Sequence, residues 1–148
     1  MLTVSIISNR NIFDTQCQTI VNTVNCVGVM GKGIALEMKN RYPDMFEKYK
    51  TFCDNKLIDI GKLWLYKNPD DKWILNFPTK THWRYQSEYD YIEKGMQKFI
   101  ETYKDKNIKS IAFPMLGCSN GGLNEEKVLE IMMKYFSKCD ELIIEIYR

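Results

Sequence analysis

The chain has 148 residues, 45% of them hydrophobic and 27% charged, and its 21 Lys and Arg against 19 Asp and Glu leave a formal charge of +2. That length suits one domain, able to bury about 68–70% of its unfolded surface without help from a disulfide or a metal. The charge balance excludes a strongly basic nucleic-acid arm, an acidic tail and a wholly disordered chain, but leaves room for a local basic face.

In chain order, Leu2 to Ile7 reads as a first short strand, with no basic stretch or cleavage site of a leader peptide. Thr19 to Val24 is a second strand, followed by a helix from near Lys32 to before Pro43 and another from about Asp44 to Asn55. Leu63 to Tyr66 and Trp73 to Phe77 are further apolar runs of strand length. Tyr89, Ile92, Met96, Phe99, Ile100 and Tyr103 recur at steps of three and four, which predicts a helix from about Glu88 to Lys104 with one apolar stripe. Ser110 to Phe113 is the next strand. Asn124 then caps a helix carrying Val128, Leu129, Met132, Met133 and Phe136, with Glu125 and Glu126 placed where the helix dipole favours negative charge. Leu142 to Tyr147 closes the chain as a strand. This alternation predicts a single three-layer α/β/α domain over residues 1–148, with a central mixed, largely parallel sheet.

No apolar run approaches the ~18–20 residues that cross a bilayer. The five cysteines (Cys17, Cys26, Cys53, Cys118, Cys139) are odd in number and widely spaced, and His82 is the only histidine. Neither forms metal-ligand spacing, so no metal site is expected, and the pattern fits a reducing cytosol; the protein is expected to be soluble, cytoplasmic and a monomer.

Two glycine-rich turns follow strands and precede helices, the places where open α/β sheets bind phosphates. One is Asn25-Cys26-Val27-Gly28-Val29-Met30-Gly31-Lys32-Gly33-Ile34-Ala35; the other is Pro114-Met115-Leu116-Gly117-Cys118-Ser119-Asn120-Gly121-Gly122-Leu123. The first is no P-loop, since two residues separate Gly28 from Gly31 and Gly33 follows Lys32. It is no dinucleotide fingerprint either, because Leu36 stands where the third glycine belongs. Taken together the turns suit a clamp of backbone N–H groups on a diphosphate. Asn22 and Asn25 at the strand end suit either a ribose hydroxyl or the capping of a turn.

Val21 to Ala35 resembles the first ligand loop of macrodomains. Combined with Asn76-Phe77-Pro78-Thr79-Lys80-Thr81-His82-Trp83-Arg84 and with Leu116 to Leu123, the chain is most similar to the DNA ADP-ribosyl glycohydrolase macrodomain of DarG-type antitoxins. The resemblance implies about six strands between helices, with ADP-ribose across the strand ends and no cofactor. It places Asn22 and Asn25 at the distal ribose, and Gly31, Lys32, Gly33, Ile34 and Ala35 with Gly117, Cys118, Ser119, Asn120, Gly121, Gly122 and Leu123 around the phosphates. Asn11, with Ile12 beside it, takes the adenine position where most macrodomains have Asp. The resemblance makes Lys80 the catalytic residue; Gly121 stands where a related glycohydrolase type has a catalytic Asp, which matches the DarG type and leaves Lys80 without an acidic partner in that loop.

Breaking the bond at the anomeric carbon of the distal ribose needs charge stabilisation and a nucleophile or an activated water. Beside Lys32 and against Trp83, the Lys80 amine is expected to lose part of its proton affinity to burial and like charge. His82 has at most a secondary role, Trp83 and Tyr85 either form an aromatic lip over a modified base or simply pack, and Arg84 either touches a nucleic-acid phosphate or is solvated. The resemblance thus implies removal of ADP-ribose from thymidine in single-stranded DNA, opposing a DarT-type toxin that it meets only indirectly. Full-length antitoxins carry a toxin-binding region for which 148 residues leave no room. The same pocket would also serve a non-catalytic ADP-ribose reader, an ADP-ribose 1″-phosphate phosphatase or an O-acetyl-ADP-ribose deacetylase.

Overall fold

The computed structural model describes all residues, Met1–Arg148. Six strands, β1 (Leu2–Ile7), β2 (Thr19–Val24), β3 (Trp64–Tyr66), β4 (Trp73–Pro78), β5 (Ser110–Pro114) and β6 (Leu142–Tyr147), form one sheet in the order β1-β6-β5-β2-β4-β3. Every neighbouring pair is parallel except β3 with β4. Four helices, α1 (Gly33–Arg41), α2 (Pro43–Asp54), α3 (Tyr89–Thr102) and α4 (Glu125–Phe136), complete the mixed three-layer architecture that the alternation predicts. One element escapes the sequence reading, a single 3-10 turn at Ile12–Asp14, because its only signal is Asn11, whose Oδ1 accepts from the Phe13 N–H at 2.9 Å.

The layers follow from the pleat. Successive side chains of a strand point to opposite faces. In β2, Ile20 and Val24 therefore meet Met38, Met45 and Tyr49 of α1 and α2, whereas Val21 meets the cluster of Phe99, Phe113, Val128 and Phe136 around α3 and α4. Burial on both faces explains why β2 and β4 read as continuous apolar runs. Among the polar residues of β2 the largest is Asn22. It is fully buried and donates its amide to Asn76 Oδ1 at 3.0 Å, directly across the β2–β4 pair.

The winding of the chain positions the site. From β2 it leaves toward β4, and from the adjacent β5 it leaves toward β6. Such a reversal opens a crevice beyond the carboxyl ends of the two strands, and both glycine-rich turns begin there.

Helix α3 reaches the sheet only because residue 95 is glycine. A Cβ there would lie 2.2 Å from Cζ of Phe77, whose ring is fully buried. Gly95→Ala gains at most ~1 kcal/mol of helix propensity but overpacks the ring at a cost of about 1–3 kcal/mol. The variant is expected to melt several degrees below the parent in a thermal unfolding scan; an unchanged or higher Tm would mean that the ring yields freely.

Candidate active site

The first glycine-rich turn is shaped by one side chain. Asn25 Oδ1 accepts from the N–H groups of Val27 at 3.0 Å and Val29 at 3.4 Å and from the Tyr49 hydroxyl at 2.8 Å, while its Nδ2 donates to the Val29 carbonyl at 2.8 Å. The amide is thereby committed to capping the turn. Of the two readings left open for Asn25, the geometry supports this one, although the residue does border the cleft. Asn22 does not line the cleft: it is fully buried, its Nδ2 donates to Asn76 Oδ1 at 3.0 Å, and its own Oδ1 has no partner.

Beyond this turn the chain enters α1 without a cap. No side chain bonds the first N–H groups behind Lys32, and no acid occupies the first turn. By contrast, α4 is closed by Asn124, whose Oδ1 accepts from Lys127 N–H at 3.1 Å, and carries Glu125 and Glu126 as predicted. The positive end that faces the cleft is therefore that of α1, and Gly33, Ile34 and Ala35 line it together with Gly31 and Lys32.

The second turn packs against the first and against a third segment. A Cβ on Gly33 would approach Asn120 Nδ2 to 3.3 Å. At Gly121 a Cβ would fall 2.2 Å from Ser87 Oγ and 2.4 Å from the Gly117 carbonyl oxygen, so no side chain fits without displacing the loop. Gly117 also adopts φ +72°, a left-handed conformation that glycine enters without strain. Gly117, Cys118, Ser119, Asn120 and Gly121 line the cleft; Gly122 and Leu123 are turned away from it, Leu123 N–H closing the loop on the Gly117 carbonyl at 3.0 Å.

The third segment, between β4 and α3, brings Lys80 to the junction of the two turns. Its ammonium donates to the Trp83 carbonyl at 3.4 Å. Burial first, and the Lys32 charge second, lower its pKa below the ordinary value of 10.5. Cys118, the one cysteine in the cleft, moves the other way: burial and Glu125 push its thiol up to about 11, so it remains protonated near neutral pH. Between the two, Lys80 is the better candidate nucleophile. Trp83 and Tyr85, 47% and 62% exposed, border the opening with Arg84, whose guanidinium lies 4.8 Å from the Trp83 ring centre. His82 stays outside the cleft, its Nδ1 accepting from Arg84 N–H at 3.1 Å and its ring beside those of Trp83 and Tyr85.

The cleft encloses about 770 Å³, within the range of small-molecule sites. Asn11 and Ile12 do not line it, and the Asn11 side chain caps the 3-10 turn. Sequence reasoning missed Tyr147 and Arg148, which line the cleft at the end of β6, and Glu125. Arg148 is held by Glu126 at 2.7 Å and Glu125 at 3.6 Å, and Tyr147 donates to Glu145 at 2.8 Å. The available signal was their place at the carboxyl end of a parallel strand.

Comparison with known proteins gives a consistent picture. The Macro domain family description matches residues 21–132. A protein of Mycobacterium tuberculosis named DNA ADP-ribosyl glycohydrolase is 44% identical over 133 residues, 88% of this chain and 38% of that protein. The chain spans about two fifths of the length of the curated relatives it matches. The solved macrodomain of Mycobacterium tuberculosis DarG superposes with a TM-score of 0.91 at 41% identity, covering 99% of this chain and 97% of that one. Thermosipho africanus DarTG, solved in complex with ADP-ribose, superposes with a TM-score of 0.92 at 37% identity, covering 98% of this chain and 41% of that one.

The depressed Lys80 pKa carries a stability prediction. Below the folded pKa the ammonium is charged in both states and disfavoured in the folded one; above 10.5 it is neutral in both, so the penalty fades as pH rises through that window. Lys80→Met is therefore expected to raise Tm at pH 7 and to lose this advantage as the pH approaches 10.5, as read by calorimetric scans across pH. A variant that melts lower than the parent at pH 7 would contradict the desolvation account.

Proposed function

The chain belongs to the macrodomain family, and from that membership we propose that it is a glycohydrolase removing ADP-ribose from thymidine bases in single-stranded DNA, the reversal of a DarT-type toxin's modification. In this reading residues 1–148 form one macrodomain that acts in the cytoplasm as a monomer and opposes the toxin indirectly, through the DNA it restores. The observation that carries the proposal is the position of Lys80, an amine with lowered proton affinity, where the uncapped end of α1 and the second glycine-rich turn converge.

In this reading the diphosphate lies between the N–H groups of Gly33 to Ala35 and the Gly117 to Gly121 turn, which neutralise it without competing side chains. That anchorage places the anomeric carbon of the distal ribose near Lys80. There either the neutral amine adds to the carbon as the bond to the base breaks, and water then hydrolyses the adduct to free the amine and ADP-ribose, or the ammonium stabilises the negative charge on the departing base and gives it a proton while water takes the carbon. The adenosine end extends toward Tyr147 and Arg148. The departing base and its strand meet the exposed rings of Trp83 and Tyr85, which offer a stacking surface, with Lys32 and Arg84 as local cations.

Lys80→Ala is expected to abolish release of ADP-ribose from a modified single-stranded oligonucleotide. Affinity for free ADP-ribose should stay within about tenfold, since the lysine lies outside both glycine-rich turns. Single-turnover assays and calorimetry check the two halves; release at the parent rate would reduce the protein to a reader of ADP-ribose.

Trp83→Ala tests the DNA side. Stacking worth ~1–3 kcal/mol should be lost from oligonucleotide processing and spare free ADP-ribose. Contacts to about two phosphates predict a log–log salt slope near −1.4 for single strands. Equal losses on both ligands would make Trp83 a packing residue, and faster turnover of ADP-ribosylated protein than of DNA would discard the DNA assignment.

A further inference from the structure

We propose that the segment from Thr79 to Ser87 is a brace tied to both glycine-rich turns, and that Cys26 is the positioning residue through which the first turn holds Lys80 in register with the second. The inference rests on the reading of Lys80 as the catalytic residue, and it concerns how that lysine is held.

At its start the brace is tied to the first turn. Thr79 N–H donates to the Val24 carbonyl at 2.9 Å, prolonging the β2–β4 ladder, and the next carbonyl, that of Lys80, accepts from the Cys26 thiol at 3.3 Å. This thiol is the one hydrogen-bond partner of the Lys80 backbone. Burial pushes the Cys26 thiol up to about 12, so it keeps its proton, and with it the donor, at any physiological pH. At its far end the brace is tied to the second turn. Ser87 N–H donates to the Gly121 carbonyl at 2.9 Å, and the Ser87 side chain occupies the space that side chains on Gly117 and Gly121 would need. Between the ties, Tyr85 N–H to the His82 carbonyl and Arg84 N–H to His82 Nδ1, both at 3.1 Å, fold the segment into a compact turn that bends back over Lys80.

The consequence is geometric. The lysine amine sits at the end of a flexible four-carbon stem, and its partner, the Trp83 carbonyl, belongs to the same brace. No other hydrogen bond fixes the amine, so the root at Lys80 Cα has to be held. A reacting group displaced by about an ångström forfeits much of its rate. The thiol bond sets that root relative to the first turn and the Ser87 tie sets it relative to the second. Both phosphate-binding turns thus place the lysine.

The test uses the 148-residue protein with Cys26→Ala, which removes the donor, and Cys26→Ser, which restores one. Lys80 is followed directly by its titration in protein carrying ¹³Cε-labelled lysine, assigned with Lys80→Met. Release from an ADP-ribosylated single-stranded oligonucleotide and affinity for ADP-ribose are measured alongside. Cys26→Ala is expected to move the Lys80 titration up toward that of an ordinary lysine and to slow single-turnover release about tenfold. Affinity for ADP-ribose should remain within about threefold, because the phosphate-facing groups are untouched. Cys26→Ser should restore both titration and rate. An unmoved titration in Cys26→Ala, or a serine variant that behaves like the alanine one, overturns the proposal. A wild-type protein inactive on the oligonucleotide, with the titration shift still seen, refutes the glycohydrolase reading and leaves the brace standing. Should Cys26→Ala not fold, Ser87→Thr crowds the other tie and must produce the same upward movement; a folded Ser87→Thr protein with unchanged Lys80 titration overturns the proposal.

Discussion

Two adjacent parallel strands whose chains leave in opposite directions cannot cover the sheet edge between them, and β2 and β5 are such a pair. The helices that follow must depart to either side, so the turns that start them are left facing each other across open space. Those turns approach closely enough that a methyl group on Gly33 would contact Asn120. Glycine is required where the backbones converge, an uncapped helix end becomes available to an anion, and the loop after β4 is drawn across to bridge the gap. The site is thus a consequence of strand order before it is a matter of particular side chains.

How a polar group is used depends on which partner reaches it first. Asn124 satisfies its own helix, so α4 has little positive character to offer; Lys32 cannot do the same for α1, and the field there remains open toward the cleft. Lys80 and Cys118 share one cavity and one desolvating environment, yet the same burial brings an amine nearer neutrality and carries a thiol further from ionisation. One cavity thereby shifts its two ionisable groups in opposite directions according to charge type.

Much of this was readable from the amino-acid order. Apolar runs and the stripe from Tyr89 to Tyr103 located strands and helices, because burial imposes those periods, and the spacing of glycines located both turns. What stayed hidden depended on which atoms meet. Asn22 and Asn25 look alike at the end of a strand, but one faces into the protein beside Asn76 while the other bonds four times within its own turn and α2. Asn11 is committed to its 3-10 turn for the same reason, a competition among local donors that composition does not reveal. Ser87 carries no recognisable motif, and its importance emerges only once Gly121 is seen to lie on top of it. Tyr147 and Arg148 were passed over because they belong to no glycine-rich turn, although they end a strand at the same side of the sheet.

The buried amide pair of Asn22 and Asn76 has a bearing on how the sheet finds its alignment. A slip of one residue between β2 and β4 turns every side chain to the wrong face and is rejected by hydrophobic burial alone. A slip of two residues preserves the faces, and Ile, Val and Leu are similar enough that burial distinguishes it poorly. It would, however, set Asn22 and Asn76 against aliphatic neighbours instead of each other. Each amide stranded in that way costs about 1–3 kcal/mol. The pair therefore works as a key that admits one alignment of β2 with β4, and with it the one arrangement in which Asn25 and Thr79 arrive together at the rim.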